Sequence, residues 1–378
     1  MFLRLRPFLT SVRPCVTSLC RSLSSRTPLS ASMDLQEVVI LLEKLAPPSL
    51  AASWDNVGLL LAPASPLRVR SALLAVDLTE DVLREAIELP AQLLICYHPP
   101  IFHPLRRLTP ADWKGRILTG ALENCIAVYS PHTALDAVPG GVNDWLAEGL
   151  GECTTRPLTE SVSDSFPSAT SHRLEVTIPE GFNSETVLTR LREQEGVWVP
   201  AETPRAGCRL SLTCVHSGLV GAIRIIGAYR ELRQSLELTR LEKPPLPDTG
   251  MGRLCQLQTP TPIKTLVQRV KQHLGVPHLR LALGSGQSLE SLVSTVAVCA
   301  GAGGSILEGV HADLYLTGEM SHHQTLNAVS QGHSVLLAEH STSERGFLPR
   351  FASLLTPSLS GQVSLHVSTQ DREPLTLV

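Results

Sequence analysis

From Asp34 onward, short apolar runs alternate with amphipathic ones, and no other feature narrows the fold so far. "SALLAVDLT" reads as a buried strand, "EDVLREAIEL" as a helix with one apolar face, and "AQLLICYH" as the next strand. A helix around Trp113 to Leu122, the strand "CIAVYSPH" and a helix over Val142 to Leu150 continue the order. Strands that are apolar along their whole length must be buried on both faces. The pattern therefore predicts an α/β fold whose sheets are largely parallel and covered on both sides.

Between about Thr155 and Ser171 the composition turns to Ser, Thr and Pro, which reads as a linker. A strand–helix–strand order then occurs twice, predicting a small α+β domain. After "EKPPLPDTGMGRL" the α/β rhythm returns, with the strands "STVAVCAG", "ADLYLTG" and "SVLLAEH". The predicted organisation is a core built from 34–165 and 259–378, interrupted by an inserted domain over 166–258.

Residues 1–33 differ from the rest. They hold Arg4, Arg6, Arg13, Arg21 and Arg26 and seven serines, while the first acidic residue is Asp34. That is the composition of a mitochondrial targeting segment. Translation begun at Met33 would instead give a cytoplasmic product, with access to the nucleus. A net charge of -3 and 4% aromatic residues argue against direct DNA or RNA binding. No apolar run reaches the ~18 to 20 residues that a membrane-crossing helix needs, so a soluble chain with no membrane partner is expected. Nine dispersed cysteines without a C-x-x-C pair fit a reducing compartment.

Three strand ends deliver metal-ligand chemistry. "LLICYHPPIF" places His98 just past an apolar run, and Pro99-Pro100 turn the chain out of the sheet. "YSPHTALD" supplies His132 and Asp136; "AEHSTSE" supplies His340 and Glu344. The i, i+4 spacing puts each histidine and its carboxylate on one face if a helical turn follows. In α/β proteins such loops gather outside the carboxyl ends of the strands. Three imidazoles and two carboxylates suit Zn, Mn or Fe rather than Ca or Mg. Five ligands exceed the three usual for one catalytic zinc, so the expectation is two divalent ions with a bridging carboxylate. The alternative for each unit alone is a helix cap or an ordinary i, i+4 pair. "GEMSHHQTL" adds Glu319, His322 and His323; Glu319 and His323 are candidates for acid–base work or for orienting a ligand. "CAGAGGSIL" reads as a tight turn, and "SWDNVGLLL" as a turn packed by an aromatic.

The phrases "SWDNVGLLL", "YHPPIF", "PHTALDA", "GAGGS", "DLYLTGEMSHH" and "EHSTSERGF" together resemble the NGG-interacting factor three-like family, whose bacterial members are often labelled GTP cyclohydrolase I type 2 homologues. The resemblance runs from about Leu35 to Val378. It implies a two-lobed core with a dinuclear metal site between the lobes and a ferredoxin-like inserted domain. It also implies a homo-oligomer, anywhere from dimer to hexamer. The metal ligands it implies are His98, His132, Asp136, His340 and Glu344, with Glu319 and His323 nearby. Two departures stand out. Tyr97 occupies a position where the family commonly has a histidine, and a phenol is a poor neutral-pH ligand, which puts occupancy of one metal position in doubt. His103 stands where a basic residue is often found.

Two functions fit these residues. One is a metal-dependent hydrolase acting on a phosphorylated or nucleotide-like small molecule; no residue pattern supports the cyclohydrolase label itself. The other is a scaffold that acts as a transcriptional coregulator through protein partners, its metal site structural or vestigial.

Overall fold

A computed structural model of the chain describes residues 31–162, 170–201 and 207–376. The targeting expectation for residues 1–33 thus falls almost wholly outside the described residues. Two units are present: 1–161 with 247–378, and 162–246.

The larger unit contains a five-stranded and a six-stranded sheet. In the first, Ser364–Val367, Ser71–Ala75, Leu93–Cys96 and Ala127–Ser130 run parallel, and Gly58–Leu61 closes the edge antiparallel. Its three central strands are buried almost throughout, and successive residues feed opposite cores. Leu73, Leu94 and Val128 pack with Ile117 and Ala121, while Leu74, Leu93 and Ile95 pack with Val38 and Leu42. This period-2 division makes both faces apolar and is the reason the strands read as continuous hydrophobic runs.

The second sheet corrects the expectation of largely parallel sheets. Its order is Arg280–Ala282, Ser334–Leu337, Leu314–Thr317, Leu292–Cys299, Arg253–Pro262, Cys153–Arg156. Only the inner pairings of Leu314–Thr317 with its two neighbours are parallel; the other three are antiparallel. Apolar periodicity reports burial but carries no information on strand direction. The fold is mixed α/β.

The smaller unit begins its sheet with His172–Thr177, followed by the helix Glu185–Glu193 and the short strand Val197–Trp198. The strand Arg209–Cys214, the helix His216–Gly227 and the strand Glu237–Arg240 complete it. The four strands form one antiparallel sheet. Alternate residues Leu174, Val176, Leu210 and Leu212 face helix residues Val187, Leu191, Ala222 and Ile226 in a separate core. Residues 247–258, assigned above to the insertion, lie in the larger unit. The strand Arg253–Pro262 pairs on both sides there, which fixes the boundary.

That strand carries an unusual side chain. Arg253 is 1% exposed, and all of its N–H groups have acceptors. Nε and Nη2 donate to the two oxygens of Asp144 at 2.7 and 2.8 Å, Nη2 also to Val138 O at 3.0 Å, and Nη1 to the carbonyls of Gly250 and Gly252 at 2.7 Å. Val138 follows the helix His132–Ala137 directly, so this buried arginine clamps the end of the turn that bears His132 and Asp136.

Candidate metal centre

Six strand ends, three from each sheet of the larger unit, supply the centre. Asp77 follows Ser71–Ala75, His98 follows Leu93–Cys96, and His132 follows Ala127–Ser130. Gly301 follows Leu292–Cys299, Glu319 follows Leu314–Thr317, and His340 follows Ser334–Leu337. These are the carboxyl ends of parallel strands, where an α/β sheet leaves a crevice. At two of them the backbone is forced: His132 has φ +31° and Glu339, just before His340, has φ +64°. Non-glycine residues in this region cluster at functional sites.

Each imidazole is held by a carboxylate at its Nδ1. His98 Nδ1 lies 2.9 Å from Asp77 Oδ1, His132 Nδ1 2.8 Å from Asp55 Oδ1, and His340 Nδ1 2.9 Å from Glu319 Oε1. Burial raises the pKa of both Asp55 and Asp77, but their hydrogen bonds outweigh it and leave each below the ordinary carboxylate range. An ionised carboxylate only accepts, so the Nδ1 atoms of His98 and His132 carry protons and donate. The Nε2 lone pairs are thereby aimed elsewhere. The rings are close: His98 lies 5.1 Å from His340 and 5.4 Å from His132, centroid to centroid.

Glu344 is where the Nε2 atoms of His98 and His340 converge. Its side chain is 3% exposed, with Oε2 3.4 Å from His98 Nε2 and Oε1 3.6 Å from His340 Nε2. Oε2 is buried without a hydrogen-bond partner. His98, His340 and Glu344 can present one ligand atom each within 4.8 Å of one another. A buried carboxylate without a matched cation is unfavourable by several kcal/mol. Burial lowers the pKa of His98, yet Asp77 and Glu344 together push it up to about 10. The position beside Glu344 thus calls for positive charge, as a proton on His98 Nε2 or as a metal ion.

The backbone leaves room for one. Gly301, at φ +62°, lies under the cluster, and a Cβ there would stand 2.4 Å from Glu344 Oε1 and 3.2 Å from His340 Nε2. Gly301 N donates to Ser343 Oγ at 2.8 Å, and Ala300 N to Asn143 Oδ1 at 2.8 Å. The Gly-rich turn, read above as plain, is the floor of the site.

Residues 33–374 match the family described as Duf34/NIF3 (NGG1p interacting factor 3). The chain belongs to that family. NIF3-like protein 1 of Homo sapiens is 44% identical over 377 residues, covering 99% of this chain and 98% of the human protein. NIF3-like protein 1 of Rattus norvegicus is 46% identical over 373 residues, covering 98% of each. A solved Bacillus cereus protein related to NIF3 superposes with a TM-score of 0.65 at 26% identity, covering 92% of this chain and 99% of that one.

The remaining ligand candidates stand differently in this NIF3-family chain. Asp136 accepts a hydrogen bond from the Tyr97 hydroxyl. Burial, followed by the Asp136 carboxylate, pushes the Tyr97 phenol well above its usual range, so it keeps its proton and donates. Burial also raises Asp136, to about 6, against the opposing pull of Tyr97 and His132. His132 and Asp136 lie outside the cluster formed by His98, His340 and Glu344. His323 is exposed at the start of the helix His322–Ser330, its ring against that of His322. Asp55 and Asp77, which hold two of the histidines, went unrecognised in the sequence. The available signal was a carboxylate at a strand end or turn bordering strands that deliver histidines.

The histidines open into a cleft of about 570 Å³. Phe102, Trp113 and Ile117 form apolar wall, and Lys114 and Arg372 bring positive charge. His103 does not line it. Among the described residues, no helix is long and apolar enough to cross a membrane.

Proposed function

We propose that the chain is a metal-dependent hydrolase acting on a phosphorylated or nucleotide-like small molecule. One observation carries the reading: imidazoles held at Nδ1 by carboxylates direct their Nε2 atoms at the two oxygens of the buried Glu344 carboxylate, beside an open cleft. The donor set fits Zn, Mn or Fe, with His98, His340 and Glu344 holding one ion. In this proposal His132 and Asp136 belong to a second, weaker position, because Tyr97 already engages Asp136. A bound divalent ion would acidify water and polarise a substrate oxygen. The chain's own residues do the rest. Asp77, Asp55 and Glu319 fix the rings, Lys114 and Arg372 favour an anionic group, and the walls of the cleft orient the apolar remainder. Glu319 is occupied by His340, so the proton-shuttle role falls to His323. Replacing His323 with Ala would lower turnover without lowering metal content, whereas Glu319→Ala would lower both.

The test is hydrolysis of p-nitrophenyl phosphate and a panel of nucleotides by the zinc-, manganese- and iron-loaded chain. A His340→Ala/Glu344→Ala double variant is the control. Metal-dependent turnover lost in the variant is expected; no turnover across the panel with any ion would sink the hydrolase reading.

A second reading rests on a name: a Saccharomyces cerevisiae relative, 29% identical over 358 residues, is called NGG1-interacting factor 3. A coregulator scaffold would use protein contacts. The smaller unit is the proposed partner surface, and its strand order supports a ferredoxin-like module; a two-lobed core and a homo-oligomer are part of the same proposal. Deleting 162–246 would abolish partner capture in this reading, while the metal-site variant would not.

A further inference from the structure

We propose that the segment Ser368–Pro374 is a positioning strap that sets His98 and Glu344 for the metal, an inference that rests on the metal-centre reading. The segment leaves the parallel strand Ser364–Val367, and Ser368 N extends the pairing by donating to Leu74 O at 2.8 Å. Its next residues are bound at two places that matter to the site.

The first is Asp371, whose side chain is 2% exposed. Its Oδ2 accepts from Val76 N at 2.6 Å and its Oδ1 from Asp77 N at 3.4 Å. Asp77 is the residue that holds His98 Nδ1. Asp371 also pairs with Arg345, the neighbour of Glu344 in the chain. One buried carboxylate therefore fixes the backbone that orients His98 and the turn that carries Glu344.

The second is Glu373. Its Oε2 accepts from Ser341 Oγ at 2.7 Å and Thr342 N at 3.3 Å, which ties down the start of the helical turn Thr342–Arg345. Arg345 Nη2 completes the loop by donating to Ser341 Oγ at 2.7 Å. Neither Asp371 nor Glu373 needs to touch the ion. The short helix bearing Glu344 has only one turn of backbone hydrogen bonds, so its orientation depends on such outside ties. Arg372, between the two carboxylates, lines the cleft, so the same segment shapes its wall.

The experiment is zinc competition against a chromophoric chelator on the whole chain, for the parent and the variants Asp371→Ala, Glu373→Gln and Glu373→Asp. Asp371→Ala and Glu373→Gln are each expected to weaken zinc by ~10 to 100-fold, the size seen when residues behind metal ligands are removed. Glu373→Asp is expected to recover part of the loss. Melting with and without chelator supplies the second readout. A positioning role shrinks the increment that zinc adds, whereas a merely structural one lowers both curves together. If Asp371→Ala does not fold, Glu373→Gln carries the test. Folded variants with parental zinc affinity would overturn the strap and leave the metal reading intact. A parent that binds no zinc, manganese or iron would overturn the metal reading and the strap's role with it.

Discussion

Two turns of this chain share one spacing and end in different chemistry. In both "HTALD" and "HSTSE" a histidine that follows a buried strand precedes a carboxylate by four residues; His132 and Asp136 share one short helix, whereas His340 stands just before the helical turn that carries Glu344. Glu344 is buried between two imidazole Nε2 atoms, whereas Asp136 already accepts the Tyr97 hydroxyl. The spacing decides only that the two side chains share a face. What else reaches the carboxylate decides whether a cation is wanted there.

The largest effect should come from exchanging the two carboxylates' fates. Glu344→Ala is expected to weaken metal binding by ~100-fold or more, while Asp136→Ala leaves the first equivalent within ~10-fold, on the pattern of ligand and near-ligand losses. Titration of each variant with zinc checks this, and equal losses would erase the distinction between the turns.

The turns are also braced differently. The first is clamped from behind by Arg253 through Val138 and Asp144; the second is tied by Glu373 to Ser341 and by Asp371 to Arg345. Arg253→Ala should reduce stability by ~3 to 5 kcal/mol, because it takes the cation from the half-buried Asp144 and a donor from each of three carbonyls. Urea unfolding measures it, and a loss under ~1 kcal/mol would show the clamp to be incidental.

Tyr97→His sharpens the comparison from the other side. It frees Asp136 and adds an imidazole, so metal content should rise from near one toward two equivalents per chain. An unchanged stoichiometry would mean Tyr97 is not what distinguishes the turns.

The smallest effect concerns Glu85, which accepts from Ser368 and Thr369 where the chain approaches the second turn. Burial raises its pKa, but these bonds outweigh it and hold it below the ordinary glutamate range. A depressed folded pKa stabilises above the unfolded value and is lost as pH falls through the folded one. Hydrogen-exchange protection factors at Thr369 and Gln370, corrected for the intrinsic pH dependence of exchange, should therefore be full above the ordinary glutamate range and fall as pH drops through the lowered value. Glu85→Gln should flatten that dependence.

Much of this was legible in the sequence for a physical reason. Strands such as Leu93–Cys96, buried on both faces, announce themselves, and a histidine ending such a run stands out. Strand direction was not legible, because the buried half of Leu292–Cys299 reads as one apolar run although it pairs antiparallel on one side and parallel on the other. The carboxylates behind the histidines were hidden for another reason. Asp55 reaches His132 across 77 residues and Asp77 reaches His98 across 21, so only folding brings them together. Gly301 looked like any turn glycine until Glu344 was found where its Cβ would be.

The most direct test of the central claim is a crystal structure of the zinc-soaked chain with anomalous data collected on both sides of the zinc absorption edge. The account predicts a strong peak bounded by His98 Nε2, His340 Nε2 and Glu344, with a weaker one or none beside Asp136. A peak at Asp136 with none at Glu344, or no peak at either, would contradict it.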